Sequence, residues 1–340
     1  MQAINVLYPF DDNYAPFAGI SMTSLLKNNQ GAEEINIYVL GFGLSEENKA
    51  KIEETVTAYG RHLVMIDPKE MEGFIQELDM PAYRGASIAV ARLFISRYLL
   101  PDIGRILYLD SDTIITGDLQ ELFEIDLEDK PVGMVLDTIA REYKKLIGFQ
   151  ASEDYYNAGV ILYDLKKWQE LQCTERILDH IRNVRKDYES LDQDLIDIVL
   201  KGQVKRLSPI YNFQPFHMVY QPKTYLSIYG KEGYYSEEEL KAAERNPVIL
   251  HTFRYLGMFP WHVGSLHPGR ELFLKYKEVS RWKDLPAYDN YMKGFVMKVE
   301  RILYRVLPRP IFLRVFMLVY NHTVKKNTSQ IQKGKSYGNI

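Results

Sequence analysis

Short β-branched apolar runs alternate with longer amphipathic stretches through the first two-thirds of the chain, and this alternation limits the fold more than any other feature. Strands are predicted over Ile4–Tyr8, Ile35–Leu40, Leu63–Ile66, Ile106–Leu109, Val132–Leu136 and Ala158–Tyr163. Helices are predicted over Ala18–Asn28, Ser45–Tyr59, Ala89–Leu99 and Lys166–Leu171. Ser45 with Asn48 three residues on, and Glu46 and Glu47 in the first turn, is a helix-start signature, and Pro101 stops the third helix. Strands alternating with helices predict an α/β, Rossmann-like, mainly parallel sheet with helices on both faces. Ligands of such sheets sit at the carboxyl ends of the strands, here Pro9–Tyr14, Asp110–Asp112 and Asp137, each directly after an apolar run. No Gly-x-Gly-x-x-Gly follows the first strand, so a dinucleotide-dependent oxidoreductase is discounted.

The region Thr174–Trp282 mixes helices with an irregular stretch, Tyr211–Tyr235, that is too aromatic for a flexible linker and is expected to pack on the sheet. A single catalytic domain over 1–282 and a basic tail over 283–340 is the expected organisation. The lone cysteine, Cys173, excludes an intramolecular disulfide and an all-cysteine metal cluster. The formal charge of −3 argues against a nucleic-acid partner, but it is unevenly spread. Residues 291–340 hold ten Lys/Arg and one acid, Glu300, or +9, which leaves −12 on the rest. Met1–Phe10 already reads as a core strand without a basic leader, and no apolar run nears the ~20 residues that span a bilayer. A cytoplasmic chain is expected, and its Asn-x-Ser/Thr sequons carry little weight.

The strongest chemical signal is the run Arg105–Ile115, in which Asp110 and Asp112 flank Ser111 at the end of a buried strand. Two carboxylates there can reach one cation, and oxygen ligands suit Mg²⁺ or Mn²⁺, which in turn hold a diphosphate. A bare Asp-x-Asp is common, and Asp192-Gln193-Asp194 is a second instance. The bland alternative is that Asp110 caps a turn and Asp112 is solvated. Asp11, Asp12, Asn13 and Tyr14 offer carboxylates, an amide and a ring for a base and ribose, or else form an ordinary polar turn. Asn157 can hydrogen-bond a sugar, or it is a turn Asn beside a tight Gly159. Asp192 opens a helix and reads as its N-cap, with Gln193 exposed. His251, after Val248–Leu250, can add a nitrogen ligand or be a simple core residue.

Taken in order, these segments resemble the retaining glycosyltransferases of family 8, which include bacterial lipopolysaccharide galactosyl- and glucosyltransferases and glycogenin. The resemblance rests on Asp11-Asp-Asn-Tyr14, Ala91-Arg-Leu93, Leu107-Tyr-Leu-Asp-Ser-Asp112, Asn157-Ala-Gly159, Asp192-Gln-Asp194 and His251 with Pro260-Trp261, over about residues 4–282. It implies a GT-A fold that binds a UDP-sugar, UDP-glucose or UDP-galactose, with Mn²⁺. Asp110, Asp112 and His251 would hold the metal, and a mixed oxygen–nitrogen set suits Mn²⁺ better than Mg²⁺. Asp11, Asn13 and Tyr14 would contact uracil and ribose, with Asp12 and Ser111 beside them. Arg92, Asp137, Asn157, Asp192 and Gln193 would surround the donor sugar. Front-side attack is expected, with Gln193 and Asp192 positioning and stabilising an oxocarbenium-like state. Two departures stand out. The family's basic residue before Pro-Trp is replaced by Phe259, so either Arg254 takes over the phosphate contact or donor binding is weaker. The first motif is preceded by Pro9-Phe10, where small residues are common. The alternatives are a degenerate, stress-associated UDP-binding protein without turnover, or a transferase with a protein acceptor.

In the tail, Phe295, Val296, Val299, Ile302, Leu303, Val306 and Leu307 share one helical face, punctuated by Lys298, Arg301, Arg305, Arg309 and Arg314. Pro308 and Pro310 are expected to divide it in two. Such a segment predicts peripheral association with the anionic inner face of the membrane and fits a lipid-linked glycan acceptor. The alternative is a terminal helix packed on the domain with its charges in water.

Overall fold

The structure, a computed structural model, describes residues 2–331 apart from 79–86, 100, 140, 185–187, 189, 230–232 and 290–293. The end of the basic tail, 332–340, and part of the aromatic stretch, 230–232, therefore lie outside the described residues.

The strands are β1 (Ile4–Asp11), β2 (Ile35–Phe42), β3 (His62–Ile66), β4 (Arg105–Leu109), β5 (Thr113–Ile115), β6 (Val132–Leu136), β7 (Tyr156–Asp164), β8 (Val204–Arg206) and β9 (Ile249–His251). Seven form one sheet in the order β3-β2-β1-β4-β7-β6-β8. The pairings are parallel except for β7, which runs antiparallel to both β4 and β6. The expected α/β, mainly parallel sheet is thus present, and β1, β4 and β6 are near-continuously apolar because both faces are covered. The antiparallel insertion has a consequence for the site: it brings the start of β7 beside the end of β4, with Leu109 opposite Val160. The β6–β7 register slips between Met134 and Val135, so that Val135 faces Asn157 and residues 158–160 bulge out of the pairing. β5 and β9 form a separate two-stranded antiparallel sheet in which Thr113 opposes His251.

Helix α1 (Ala15–Asn28) begins three residues before the predicted Ala18, because Pro16 is tolerated in a first turn. Its residues 15–26 are all buried, and its polar groups are paired inside the core. Ser21 Oγ lies 3.0 Å from Tyr8 Oη and 2.9 Å from Thr113 Oγ1, and Ser24 Oγ accepts from Ile115 N–H at 2.9 Å. Helix α2 (Glu46–Thr57) starts on Ser45, whose side chain accepts from Asn48 N–H as the sequence predicts. The predicted Ala89–Leu99 helix is instead a short α-turn, Ser87–Val90, followed by 3₁₀ winding over Ala91–Arg97 with a kink at Phe94 (φ −117°, ψ 28°). Five consecutive residues there, Ala91–Ile95, are buried.

Helix α3 (Leu191–Val199) backs β7, and α4 (Arg270–Glu278) packs against α1. The chain ends in α5 (Phe295–Val306) and α6 (Arg309–Ile331). The tail is thus divided in two as expected, with Pro308 between the helices and Pro310 in the first turn of α6, where proline is tolerated. Tyr304, Phe312, Leu313 and Met317 are buried in the main core, while Phe295, Val296, Ile302 and Val306 stay exposed. The described part of the aromatic stretch packs as expected, with Tyr211, Phe213, Tyr220, Tyr225 and Tyr235 buried. Among the described residues no helix is long and apolar enough to cross a membrane.

Candidate active site

Strand β4 runs into a tight turn that carries Asp110, Ser111 and Asp112 before β5 begins. Asp110 is fixed from behind, its Oδ1 accepting from Arg92 Nη2 and from Tyr108 Oη–H, both at 2.8 Å. The main chain of Asp112 is held by Thr252, whose N–H and hydroxyl both donate to the Asp112 carbonyl at 2.7 and 2.6 Å. The β5–β9 pairing then delivers His251, whose Nε2 lies 3.2 Å from Asp112 Oδ1 and 3.7 Å from Asp110 Oδ2. One ligand atom from each of Asp110, Asp112 and His251 falls within 4.8 Å of the others. The bland reading of the two aspartates fails, since Asp112 is only 12 % exposed and both face one point.

The orientation of His251 follows from its other nitrogen. Nδ1 faces two amide oxygens, Asn157 Oδ1 at 3.1 Å and Asn212 Oδ1 at 3.2 Å. Asn157 Oδ1 also accepts from Gly159 N–H and Asn212 Nδ2, which fixes that amide as an acceptor. Nδ1 must then carry the proton, and Nε2 points its lone pair, or a second proton, at the carboxylates. Burial alone would lower the His251 pKa, but the facing Asp112 and Asp110 outweigh it and hold it above the ordinary value. Asp110 is pushed up in turn, by burial and by Asp112, against the pull of Arg92 and His251. Two carboxylates and an imidazole nitrogen converge here on one point, and this donor set of two oxygens and a nitrogen fits a divalent cation.

A second layer joins these groups to the helix side. Arg92, 5 % exposed, bridges Asp110 and Asp192, with Nε 3.0 Å from Asp192 Oδ2, and stacks over the Tyr108 ring. Asp192 is therefore an ion-pair partner rather than the expected N-cap, a position that falls to Ser190. Gln193 is not exposed as the bland reading had it. Its Oε1 accepts from Ala158 N–H at 3.1 Å and its Nε2 donates to Asp137 Oδ2 at 3.1 Å. Asn157 Nδ2 donates to the same Asp137 oxygen at 2.9 Å, from within β7 rather than from a turn. The bulge at 158–160 is satisfied by these site residues: Arg92 donates to Ala158 O, Gln193 accepts from its N–H, and Asp110 N–H donates to Gly159 O. Asp194, the other carboxylate of that motif, points into the core and accepts from Tyr143 and Tyr155 hydroxyls.

The first motif divides. Tyr14, 39 % exposed, presents its ring edge-on to Trp261, 6.5 Å away, and Asp11 Oδ1 accepts from Tyr14 N–H. Asn13 is exposed in the same turn. Asp12 does not join them: its Oδ1 accepts from Ser45 N–H, Ser45 Oγ–H and Asn48 Nδ2, which ties β1 to the start of α2 and holds its pKa low. Ser111 is buried in the turn between the two aspartates. Phe259 stacks on Trp261 at 4.5 Å and Trp261 on Phe17 at 3.8 Å, and the Arg254 guanidinium lies over Phe259 at 5.5 Å. Arg254 is close enough to Tyr14 to influence its ionisation, so a cation does stand near the first motif. Asn212 and Tyr108 were not singled out from the sequence, and for Asn212 the available signal was an Asn between two aromatics, Tyr211 and Phe213.

The sheet order and the site can be set beside known proteins. The chain is 28 % identical over 279 residues to general stress protein A of Bacillus subtilis, covering 81 % of this chain and 93 % of that one. It is 27 % identical over 299 residues to lipopolysaccharide 1,2-glucosyltransferase of Escherichia coli K12, covering 83 % and 80 %. In fold it matches the galactosyltransferase LgtC, solved with donor and acceptor sugar analogues, with a TM-score of 0.64 at 24 % identity over 82 % of this chain and 96 % of that one. The family model for glycosyl transferase family 8 matches residues 5–263, a span that holds the whole metal-competent cluster and the Arg92–Asp192–Gln193 layer around it, and the chain belongs to that family.

Proposed function

We propose that the chain transfers a hexose, glucose or galactose, from a UDP-sugar to a glycan acceptor with retention, using Mn²⁺, or Mg²⁺ in its place. The observation that carries this reading is the convergence of Asp110, Asp112 and His251 on one point, beside Asp192, Gln193 and Asp137. The three convergent side chains would hold the cation, which would offset the charge that develops on the departing diphosphate. Tyr14, with Asp11 and Asn13, would meet the uridine, and Arg254 the diphosphate. Arg92, Asp137 and Asn157 would line the donor sugar. Gln193 uses both ends of its amide on Ala158 and Asp137, which favours front-side attack: its role is to hold Asp137 and the β7 bulge in place. The acceptor would be a lipid-linked or cell-surface glycan, and the apolar stripe and cations of α5 support peripheral association with an anionic membrane.

UDP release from a panel of UDP-sugars, with and without Mn²⁺, tests the reading. Metal-dependent release from one hexose donor is expected. Failure of UDP–Mn²⁺ to bind sinks it, and binding with no turnover on any donor or glycan acceptor would favour the nucleotide-binding alternative.

Two further outcomes follow from the geometry. Metal must displace the proton that Asp112 and Asp110 hold on His251 Nε2, so Mn²⁺ affinity should fall as pH drops through the raised His251 pKa. The fall should approach about tenfold per pH unit below it, and titration in two buffers of different ionisation enthalpy should count about one proton released. Arg254→Gln should raise KM for the donor about tenfold while kcat changes little, as expected of a charged contact to the donor beside Tyr14 and Phe259. An unchanged KM would remove Arg254 from the diphosphate.

A further inference from the structure

A groove of about 460 Å³ lies between the Met258–Leu266 segment and α5. Lys298, Arg301 and Arg305 stand along one side of the helix, against apolar Met258, Val263 and Ile302. Asp289 is the acid among its lining residues. Arg301 is fixed at the wall, its Nε donating to the Leu256 carbonyl at 3.2 Å. Among the described residues neither Lys298 nor Arg305 has an ion-pair partner. Arg301 and Arg254 both depress the His262 pKa, after burial, so both guanidinium groups act on that imidazole.

The stripe of the helix that adjoins the groove, with Ile302 on the shared edge, faces outward. Phe295, Val299, Ile302 and Val306 recur at spacings of four, three and four and fall on one stripe, 82, 36, 57 and 67 % exposed. Tyr304, on the opposite side, is buried with its ring 5.6 Å from Tyr255. At about 100° per residue, Lys298, Arg301 and Arg305 flank that stripe on one side. Exposed apolar residues side by side with a partly enclosed set of cations ask for a ligand that is acyl at one end and phosphate at the other. A free phosphate would leave the stripe in water, and an acidic peptide would give it nothing to bury.

We propose that this groove seats the phosphodiester of an anionic glycerophospholipid on Lys298, Arg301 and Arg305, with its acyl chains along the Phe295–Val306 stripe. The inference rests on the membrane association proposed above and narrows it from a general attraction to a defined seat. The full-length protein would be titrated with phosphatidylcholine vesicles with and without phosphatidylglycerol, with monomeric dihexanoylphosphatidylglycerol below its micelle concentration, and with inorganic phosphate. Wild type is expected to bind both lipid forms, and Lys298→Gln/Arg305→Gln to lose about tenfold or more in each, while the charge-matched Lys223→Gln/Lys275→Gln, outside the tail, loses no more than about threefold. UDP-sugar turnover without acceptor would report that both variants fold. Equal losses in the two variants, or inorganic phosphate binding as tightly as the lipid, would overturn the seat. Vesicle binding without monomer binding overturns the seat but leaves membrane association standing, and monomer binding without vesicle binding does the reverse.

Discussion

Asp112→Asn is expected to lower metal-dependent UDP release by about 10³-fold while leaving the fold as stable as wild type or more so. The substitution is nearly isosteric, and the Asp112 main chain stays anchored through Thr252. What changes is charge. An amide is a poor ligand for a hard divalent cation, and one orientation turns its NH₂ toward His251 Nε2, 3.2 Å away in wild type. The largest influence raising the His251 pKa also disappears, so the imidazole becomes neutral at a higher proton concentration than before. Several kcal/mol of transition-state stabilisation is what a bound cation supplies, and each ~1.4 kcal/mol is a decade in rate. Stability moves the other way, because Asp110 and Asp112 repel one another in the metal-free protein and burial already penalises Asp110. Loss of activity together with unchanged or raised thermal stability is a signature that damage to the fold cannot produce. Turnover within about tenfold of wild type would mean that the cation is held elsewhere or is not needed.

The reason Asp112 was legible in the sequence, and its surroundings were not, is physical. An apolar strand that stops at a carboxylate is a local pattern, and Ile106–Leu109 followed by Asp110 carries it. The same holds for Ser45, whose cap is written in the next three residues. The partners of Asp110 come instead from scattered places, Arg92 from an earlier turn, Gly159 from β7 and His251 from β9, and Gly159 reaches it because β7 enters the sheet antiparallel between β4 and β6. Alternating strands and helices predict parallel neighbours, so nothing local announced that Asn157 lies within a bulged strand. Asp192 was read as a cap because helix N-termini favour Asp, but a buried guanidinium 3.0 Å away is the stronger demand. Asp12 shows the opposite case. It belongs to a motif that suggests ligand binding, yet three donors from α2 and its cap occupy its carboxylate. Phe259 was read as a loss of charge, and the structure shows what the ring gains, a place in the stack Arg254–Phe259–Trp261–Phe17.

Gly159→Ala should abolish metal binding and cost about 3 kcal/mol of stability, although it adds a single methyl group. Gly159 has no left-handed backbone to protect, so the argument is one of space. A Cβ built there would stand 2.0 Å from His251 Cε1 and under 3 Å from both ring nitrogens. The backbone cannot retreat, since Gly159 O accepts from Asp110 N–H and Gly159 N–H donates to Asn157. The imidazole must swing out, losing Asn157 and Asn212 on one side and Asp112 on the other. Gly31→Ala, where the new methyl meets nothing within 4 Å, should stay within about 0.5 kcal/mol of wild type. The decisive comparison is the double variant Gly159→Ala/His251→Ala. Removing the ring clears the space the methyl needs, so the double variant should recover most of the stability lost in Gly159→Ala, a coupling of about 2 kcal/mol between the two sites, while metal binding stays absent. If the two losses simply add, the methyl is being accommodated by a shift of β7 rather than by expulsion of His251, and the close approach of strand and imidazole is not what fixes His251.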